Sequence, residues 1–202
     1  ISKLVEDYNL CIRDLISVEA TDTIKKLANG GNAKTDVIIK ITTSTRRSPL
    51  VETISIKNTT QNDVACHDYQ AGDFIRVLNI HNEKLASYLR LYQKYGSHKK
   101  FIDGLPVGYN LEEFEKLLTP YGKNLVEWAL TGKHDNHKLI EADTQVSNYL
   151  LINKEGNFRF TDFDSYIAEL YSKCKLTYGV PLRWTYPSKQ HGVRIKLKLP
   201  VI

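Results

Sequence analysis

The sequence predicts a single domain of the α/β or α+β class. Short β-branched runs occur along the chain between longer segments whose apolar residues recur every three or four positions. With 202 residues and 42% hydrophobic composition, the chain is long enough to bury one sizeable core. No internal repeat or low-complexity linker divides it. One domain over residues 1–202 is therefore expected.

Four segments have the apolar spacing of helices. The first covers residues 2 to about 28 and stops at Asn29-Gly30-Gly31-Asn32, a sequence that breaks helices. The other three are residues 70–95, which end near Tyr95-Gly96, then Leu111–Leu130 with Asn110 as N-cap, and Asp162–Cys174.

Three pairs of short β-branched or aromatic runs predict β-hairpins. In the first, Val37–Thr42 and Val51–Lys57 flank a polar loop that contains Arg46 and Arg47. The second joins Tyr149–Ile152 to Phe158–Thr161, and the third joins Leu182–Tyr186 to Val193–Leu199.

Composition excludes several classes of protein. The charged fraction of 25% argues against disorder, and no apolar run reaches the roughly 18 residues that span a bilayer. Three widely spaced cysteines indicate reduced thiols, so we expect a cytoplasmic protein without a membrane partner. The chain lacks methionine and begins at Ile1, so we expect a fragment with room for a further domain N-terminal to residue 1. The oligomeric state is left open, a homodimer included.

The first hairpin carries the residues that suggest chemistry. Period-two alternation places Asp36, Ser55 and Lys57 on one face and β-branched residues on the other, interrupted by Glu52. If the loop is centred between Arg46 and Arg47, Asp36 lies directly opposite Lys57, with Ser55 one step along.

This polar face would suit a divalent cation and a phosphate. Asp36 would supply an anionic oxygen to Mg²⁺, and the backbone carbonyl of Ile56 a neutral one. Lys57 would orient or deprotonate an attacking water, or neutralise charge on the phosphate. A surface hairpin in which Asp36 and Lys57 form a plain salt bridge remains the alternative.

The C-terminal segment is basic throughout. Seven lysines and arginines and no acidic residue lie between Lys173 and Ile202. Polar and aromatic residues, among them Trp184, Thr185 and Ser188, are interleaved with them, a mixture that suits phosphates and base edges. A solvated basic face is the alternative.

These residues resemble a known family. Thr35-Asp36 followed by Ser55-Ile56-Lys57 is similar to the PD-(D/E)xK nuclease motif, and Gly30–Ile39 resembles type II restriction endonucleases of the MspI/HpaII sort. The segments Leu182–Lys189 and Val193–Lys198 resemble the C-terminal part of that group. The resemblance implies a mixed central β-sheet flanked by helices, with a basic C-terminal hairpin.

The sequence departs from the general motif at two positions. Thr35 replaces the proline, and Ser55 stands where the general motif has an acid. Because a serine is a poorer metal ligand than a carboxylate, the source of a second side-chain ligand and the existence of a second metal site are left open. By alternation, Glu52 lies on the face opposite Asp36. Glu19, expected on the preceding helix, is therefore the candidate for a metal ligand from outside the hairpin.

The resemblance also implies which residues contact DNA. The stretch Asp63–Tyr69 corresponds to one that touches base edges, which makes His67 and Asp68 candidates. The best candidates for groove contacts in the C-terminal segment are Lys189, Gln190, Arg194 and Lys196, joined by Thr185 and Ser188.

We therefore predict a Mg²⁺-dependent, sequence-specific endonuclease that hydrolyses phosphodiester bonds of double-stranded DNA. One alternative is a DNA-binding module without catalysis. The other is a repair or junction-resolving nuclease with the same core.

Overall fold

The computed structural model describes all 202 residues, which form two compact units. Unit 1 contains residues 1–60, 131–133 and 137–166, and unit 2 contains residues 61–130, 134–136 and 167–202. The single domain expected over residues 1–202 stays a prediction. None of the helices combines the length and the apolar composition that a membrane-spanning segment needs.

Unit 1 is built on a five-stranded mixed sheet. Its elements are α1 (Ser2–Asp7), a 3₁₀ turn (Ile12–Asp14), β1 (Leu15–Thr21), β2 (Val37–Thr43), β3 (Leu50–Thr59), α7 (Ala142–Gln145), β5 (Tyr149–Lys154), β6 (Asn157–Asp162) and the first residues of α8 (Phe163–Lys173). The strand order is β1-β2-β3-β5-β6. Strands β3 and β5 run parallel, and the other neighbouring pairs are antiparallel.

One face of this sheet is covered by α1. Leu4 of the helix packs with Ile41, Ile54 and Tyr149 in a buried cluster, and flanking apolar residues such as Ile39 extend it. Ile39, Ile41 and Ile54 are among the β-branched positions that alternation assigned to the apolar face, so that prediction is confirmed. The opposite face of β2 and β3 carries the polar residues.

The helix expected over residues 2 to 28 is wrong. Only α1 is α-helical, a single 3₁₀ turn follows it, and Leu15–Thr21 forms β1, which pairs antiparallel with β2 from Leu15↔Thr43 to Thr21↔Ile38. The apolar spacing of three to four residues continued into a segment whose Ile16, Val18 and Thr21 favour strands. Pairing with a distant strand decided the outcome.

The first hairpin forms, but its predicted register is wrong by two positions. Val37 lies opposite Ile54, and the ladder closes at Ile41↔Leu50, which centres the loop between Thr45 and Arg46. The loop has no Asn-Gly or Asp-Gly pair to set its geometry. Pro49 has no N–H and cannot extend the ladder. A shift of two leaves every side chain on its predicted face.

Unit 2 combines helices with a three-stranded antiparallel sheet. The elements are β4 (Asp63–Tyr69), α2 (Ala71–Val77), α3 (Glu83–Tyr95), α4 (His98–Asp103), α5 (Leu111–Leu118), a 3₁₀ turn (Thr119–Tyr121), α6 (Gly122–Thr131), the rest of α8, β7 (Arg183–Thr185) and β8 (Ile195–Pro200). The strand order is β4-β8-β7. The third predicted hairpin supplies two of these strands and is confirmed.

Two predicted helices are each divided in the structure. Residues 70–95 form α2 and α3, separated at Asn79, whose φ is +52°. The segment 111–130 is interrupted by the 3₁₀ turn that contains Pro120, which cannot continue an α-helical ladder. The predicted cap is confirmed, because the Asn110 side chain accepts a hydrogen bond from Glu113 N–H.

The second predicted hairpin, β5–β6, is also confirmed. Its turn residues Glu155 and Gly156 have φ values of +53° and +86°, as two-residue turns between twisted strands require. The helix predicted from Asp162 to Cys174 corresponds to α8.

Candidate active site

Asp36 stands immediately before β2 and faces the middle of β3. Its N–H donates to the Ile54 carbonyl at 2.8 Å, which extends the ladder by one hydrogen bond. Continued by one step, the observed register sets Asp36 across from Ser55, not from Lys57 as the predicted register had it. Lys57 is two residues further along the same face.

Hydrogen bonds connect these three side chains into one group. Asp36 Oδ2 accepts from Ile56 N–H at 2.6 Å and from Ser55 Oγ at 3.2 Å. Lys57 Nζ donates to Ser55 Oγ at 2.6 Å and lies 3.7 Å from Asp36 Oδ2. The prediction that these residues come together is therefore confirmed, although their catalytic roles stay predictions.

The three side chains differ in exposure. Ser55 is fully buried, the Lys57 side chain is 15% exposed, and that of Asp36 is 45% exposed. Asp36 is thus open to a ligand from outside, while the lysine is held in place by its surroundings. A partly buried ammonium beside a carboxylate provides a fixed positive charge in a region of reduced dielectric.

The donor atoms fit a magnesium ion that keeps part of its water shell. Asp36 contributes a carboxylate, Ser55 a hydroxyl and Ile56 a backbone carbonyl, all of them hard oxygen donors. The Lys57 ammonium lies 3.1 Å from the Ile56 carbonyl, which shows that a positive charge is accommodated beside these oxygens. No cluster of three or more His, Cys, Asp or Glu side chains is present to form a cage of protein ligands.

Glu19 lies on β1, and the expected position on a helix is wrong. It pairs with Lys40, whose position on β2 is four residues beyond Asp36. At the rise of a β-strand this is roughly 13 Å. Its role as a metal ligand stays a prediction that the register does not support.

Glu52 lies on the opposite face of β3, as its parity predicted. It is 3% exposed. The Tyr8 hydroxyl donates to one carboxylate oxygen, and Asn148 Nδ2 donates to the other at 3.0 Å. Because both oxygens are satisfied inside unit 1, Glu52 serves the packing of α1 on the sheet.

Buried hydroxyl groups of Thr35 and Thr53 support the first hairpin. The sequence analysis did not predict them. Thr35, in the proline position of the general motif, is 4% exposed, and its Oγ1 lies 3.3 Å from Ser147 Oγ. Thr53 Oγ1 donates to the Val146 carbonyl at 2.7 Å and accepts from Asn148 N–H at 3.0 Å. These contacts join segments about a hundred residues apart, so no local spacing could reveal them.

The loop before β2 is held by Gln145, which is fully buried. Its Nε2 donates to the carbonyls of Lys25 and Lys26, at 3.0 Å each. Its Oε1 accepts from the N–H groups of Ile140 and Glu141 at 2.7 and 2.9 Å. One side-chain amide thus uses all four of its hydrogen-bonding positions to fix the approach to the site.

The outer face of the unit 2 sheet brings together predicted DNA-binding residues. Lys196 of β8 pairs with Asp68 of β4 on one side and with Thr185 of β7 on the other, so these three form one row. Arg194 Nη1 donates to the Asp68 carbonyl at 3.3 Å. Asp68 Oδ1 is buried and accepts no hydrogen bond within the chain.

A second group on the same face is already paired within itself. Asp63 accepts from Arg183 at 2.8 Å and from Lys198 at 2.6 Å. Burial alone would raise the pKa of Asp63, but these two hydrogen-bonded cations outweigh it and lower the pKa below its ordinary value.

His67 is in the core, and its predicted contact with DNA is not supported. It is 3% exposed, and its ring centroid lies 4.0 Å from that of Trp128 and 3.6 Å from that of Tyr69. A bulge between Ala65 and His67 changes the alternation of β4. The inward direction of His67 therefore could not be read from parity.

Ser188, Lys189 and Gln190 are exposed in the loop between β7 and β8. The loop is closed by backbone hydrogen bonds, from Gln190 N–H to the Pro187 carbonyl and from Val193 N–H to the Gln190 carbonyl, both at 3.1 Å. It thus presents these side chains from a compact turn. Contact with DNA stays a prediction.

Comparison with known proteins gives consistent results. The chain is 32% identical over 186 residues to the type II restriction enzyme BsuFI of Bacillus subtilis, which covers 91% of this chain. It spans 44% of that relative's length. A crystal structure of restriction endonuclease MspI in complex with its cognate DNA superposes with a TM-score of 0.79 at 24% identity, covering 98% of this chain and 76% of that one.

The structural likeness shows the mixed α+β fold that the resemblance implied. The family model described as restriction endonuclease MspI matches residues 2–199, nearly the whole chain. The chain belongs to the MspI family of restriction endonucleases.

Proposed function

We propose that this chain is a metal-dependent endonuclease that cuts double-stranded DNA at a specific sequence. The observation that carries the proposal is the hydrogen-bonded group of Asp36, Ser55 and Lys57, which sets a carboxylate and an ammonium on one face of the first hairpin. Family membership supports the same activity. The chain spans less than half of its curated relative, so the proposal concerns the activity of this chain.

Each residue of the group has a distinct task. Asp36 and the Ile56 carbonyl would hold Mg²⁺, which supplies Lewis-acid stabilisation of the phosphate when bound. Lys57 orients the attacking water and offsets the negative charge that grows on the phosphate oxygens. Ser55 holds the ammonium in place through its 2.6 Å hydrogen bond. We also propose that the bound ion is Mg²⁺ and that the protein is located in the cytoplasm.

Recognition of DNA is assigned to the outer face of the three-stranded sheet and to the β7–β8 loop. Lys196 and Arg194 suit phosphates or guanine, whereas Asp68 Oδ1 suits the amino group of cytosine. That oxygen accepts nothing within the chain although it is buried. A buried acceptor without a donor is costly, but it is also closed to a ligand, so a contact with a base amino group requires the Asp68 carboxylate to turn outward when DNA binds.

A DNA-binding module without catalysis is the second candidate. It is favoured by one observation, because Asp36 is the only carboxylate in the hydrogen-bonded group, where Ser55 replaces the acid of the general motif. Such a protein would bind its site tightly and leave the DNA intact in the presence of any divalent ion.

Plasmid digestion tests both candidates. Purified protein is incubated with supercoiled plasmid in Mg²⁺ or in EDTA, and the ends of the products are sequenced. We expect cleavage in Mg²⁺ and none in EDTA. The ends of all products should lie at the same short sequence. Binding without cleavage in Mg²⁺ and Mn²⁺ would support the module instead, and cuts at junctions or lesions would indicate a repair nuclease.

A further inference from the structure

The β7–β8 loop, residues 186–194, is attached to the end of helix α3. The exposed residues Ser188, Lys189 and Gln190 lie between two side chains that hydrogen-bond to that helix, the half-buried Tyr186 and the exposed His191. The loop is therefore fixed on both sides of the residues proposed to meet base edges.

The acceptors for both side chains are carbonyls at the end of α3. The Tyr186 hydroxyl donates to the Tyr92 carbonyl at 2.8 Å, and the two rings stack with centroids 4.8 Å apart. His191 Nδ1 contacts the carbonyl of Gly96, the C-cap residue, so Nδ1 carries the proton of that bond. The last carbonyls of a helix lack partners within it, and the loop supplies them here.

At the His191 attachment, the backbone at the end of α3 lies directly against the backbone of the loop. Gly96 has a φ of +60°, and a Cβ added there would lie 2.8 Å from Gly192 N and 3.1 Å from His191 Cβ. No side chain fits into this gap, and an L-residue would also be strained at this φ. Gly96 thus lets the loop rest directly on the helix end.

We propose that Gly96 and His191 are positioning residues that hold the β7–β8 loop in its base-reading conformation before DNA binds. The proposal rests on the proposed function, since it assigns specificity to this loop. A loop that is already ordered loses less conformational entropy on binding, so its contacts appear more fully in the affinity. Loosening the attachment should therefore lower specificity without removing any group that touches DNA.

The test compares affinities for the cognate duplex, identified by sequencing the cut ends, and for a scrambled duplex. Dissociation constants are measured without Mg²⁺ at one salt concentration for the wild type, Gly96→Ala and His191→Ala. In both variants the ratio of the two affinities should fall about tenfold or more, the size of one base contact. Affinity for the scrambled duplex depends on phosphate contacts and should change little.

Two further variants serve as controls. Gly72→Ala adds a Cβ in α2 with nothing within 4 Å and should keep the wild-type ratio. His191→Asn places an amide N–H near the position of Nδ1 and should restore most of the ratio lost in His191→Ala. Because Gly96→Ala carries a risk of misfolding, thermal unfolding of each variant is recorded. If Gly96→Ala does not fold, the result for His191→Ala alone decides whether the proposal stands.

The outcomes are separable. A lower ratio in His191→Ala with rescue by His191→Asn supports the positioning role. An unchanged ratio, or equal losses on both duplexes, overturns it while the proposed endonuclease activity stands. A wild-type protein that cuts no DNA and does not distinguish the duplexes overturns the proposed function itself.

Discussion

Replacing Asp36 by asparagine removes a metal ligand while keeping the shape of the side chain. The magnitude follows from what the carboxylate does. Lewis-acid stabilisation of a phosphate is worth several kcal/mol, and each 1.36 kcal/mol changes a rate tenfold. We therefore expect Asp36→Asn to slow cleavage by about 10³-fold or more.

Stability should change little in the same variant. The asparagine carbonyl can still accept from Ile56 N–H, so the change removes the charge-assisted part of that 2.6 Å hydrogen bond and the attraction of the carboxylate to Lys57 Nζ at 3.7 Å. For a side chain that is 45% exposed, this costs at most about 1 kcal/mol, or a fall in Tm of about 2–4 °C for a chain of this size.

The assay separates binding from chemistry. Cognate duplex is bound by excess protein without Mg²⁺, and cleavage is followed in a single turnover after Mg²⁺ is added. DNA affinity should match the wild type or exceed it, because a negative charge near the phosphate is removed. Asp22→Asn, in the exposed loop after β1, is the matched control and should cut normally. A folded Asp36→Asn protein that cuts within tenfold of the wild-type rate would refute the assignment.

Three further outcomes are expected. Lys57→Ala should slow cleavage about 10²-fold or more and leave DNA affinity largely intact, and a wild-type rate would exclude a catalytic lysine. Lys196→Ala should reduce the slope of log K against log salt by about 0.9, and an unchanged slope would place it away from phosphate. The folded-state pKa of Asp63 is lowered by Lys198 and Arg183, so it contributes stability above pH 3.8 that disappears as the pH falls through the lowered value. Chemical unfolding of Asp63→Asn should therefore show a deficit at pH 6 that vanishes at low pH, whereas a deficit at every pH would point to lost packing.

Alternation along β2 and β3 was enough to predict much of the site. A side-chain period of two puts Ser55 and Lys57 on one face of β3, and Asp36 shares that face in the predicted register and in the observed one, because the two differ by an even number of residues. The same rule placed Glu52 on the other face. Pairs of short β-branched or aromatic runs located the second and third hairpins, because such runs are recognisable over a few neighbouring residues.

Other features depended on contacts between distant segments. The apolar spacing of residues 2–28 is compatible with a helix, and only pairing with β2 made Leu15–Thr21 a strand. The bulge beside His67 turned that ring into the core, against the parity of the strand. The opposition of Asp36 to Ser55 depended on where a turn without a strong signal closed.

The attachment of the β7–β8 loop to the end of α3 is the clearest case of a property that no sequence pattern predicts. Gly96 is recognisable in the sequence as the end of a helix, and His191 as a residue of a polar loop. Their contact joins positions 95 residues apart and depends on how β7, β8 and α3 pack within unit 2. The sequence determined which residue types and faces are available for chemistry, because those preferences are local. The tertiary structure decided which of them meet, because burial and backbone hydrogen bonding are settled over the whole fold.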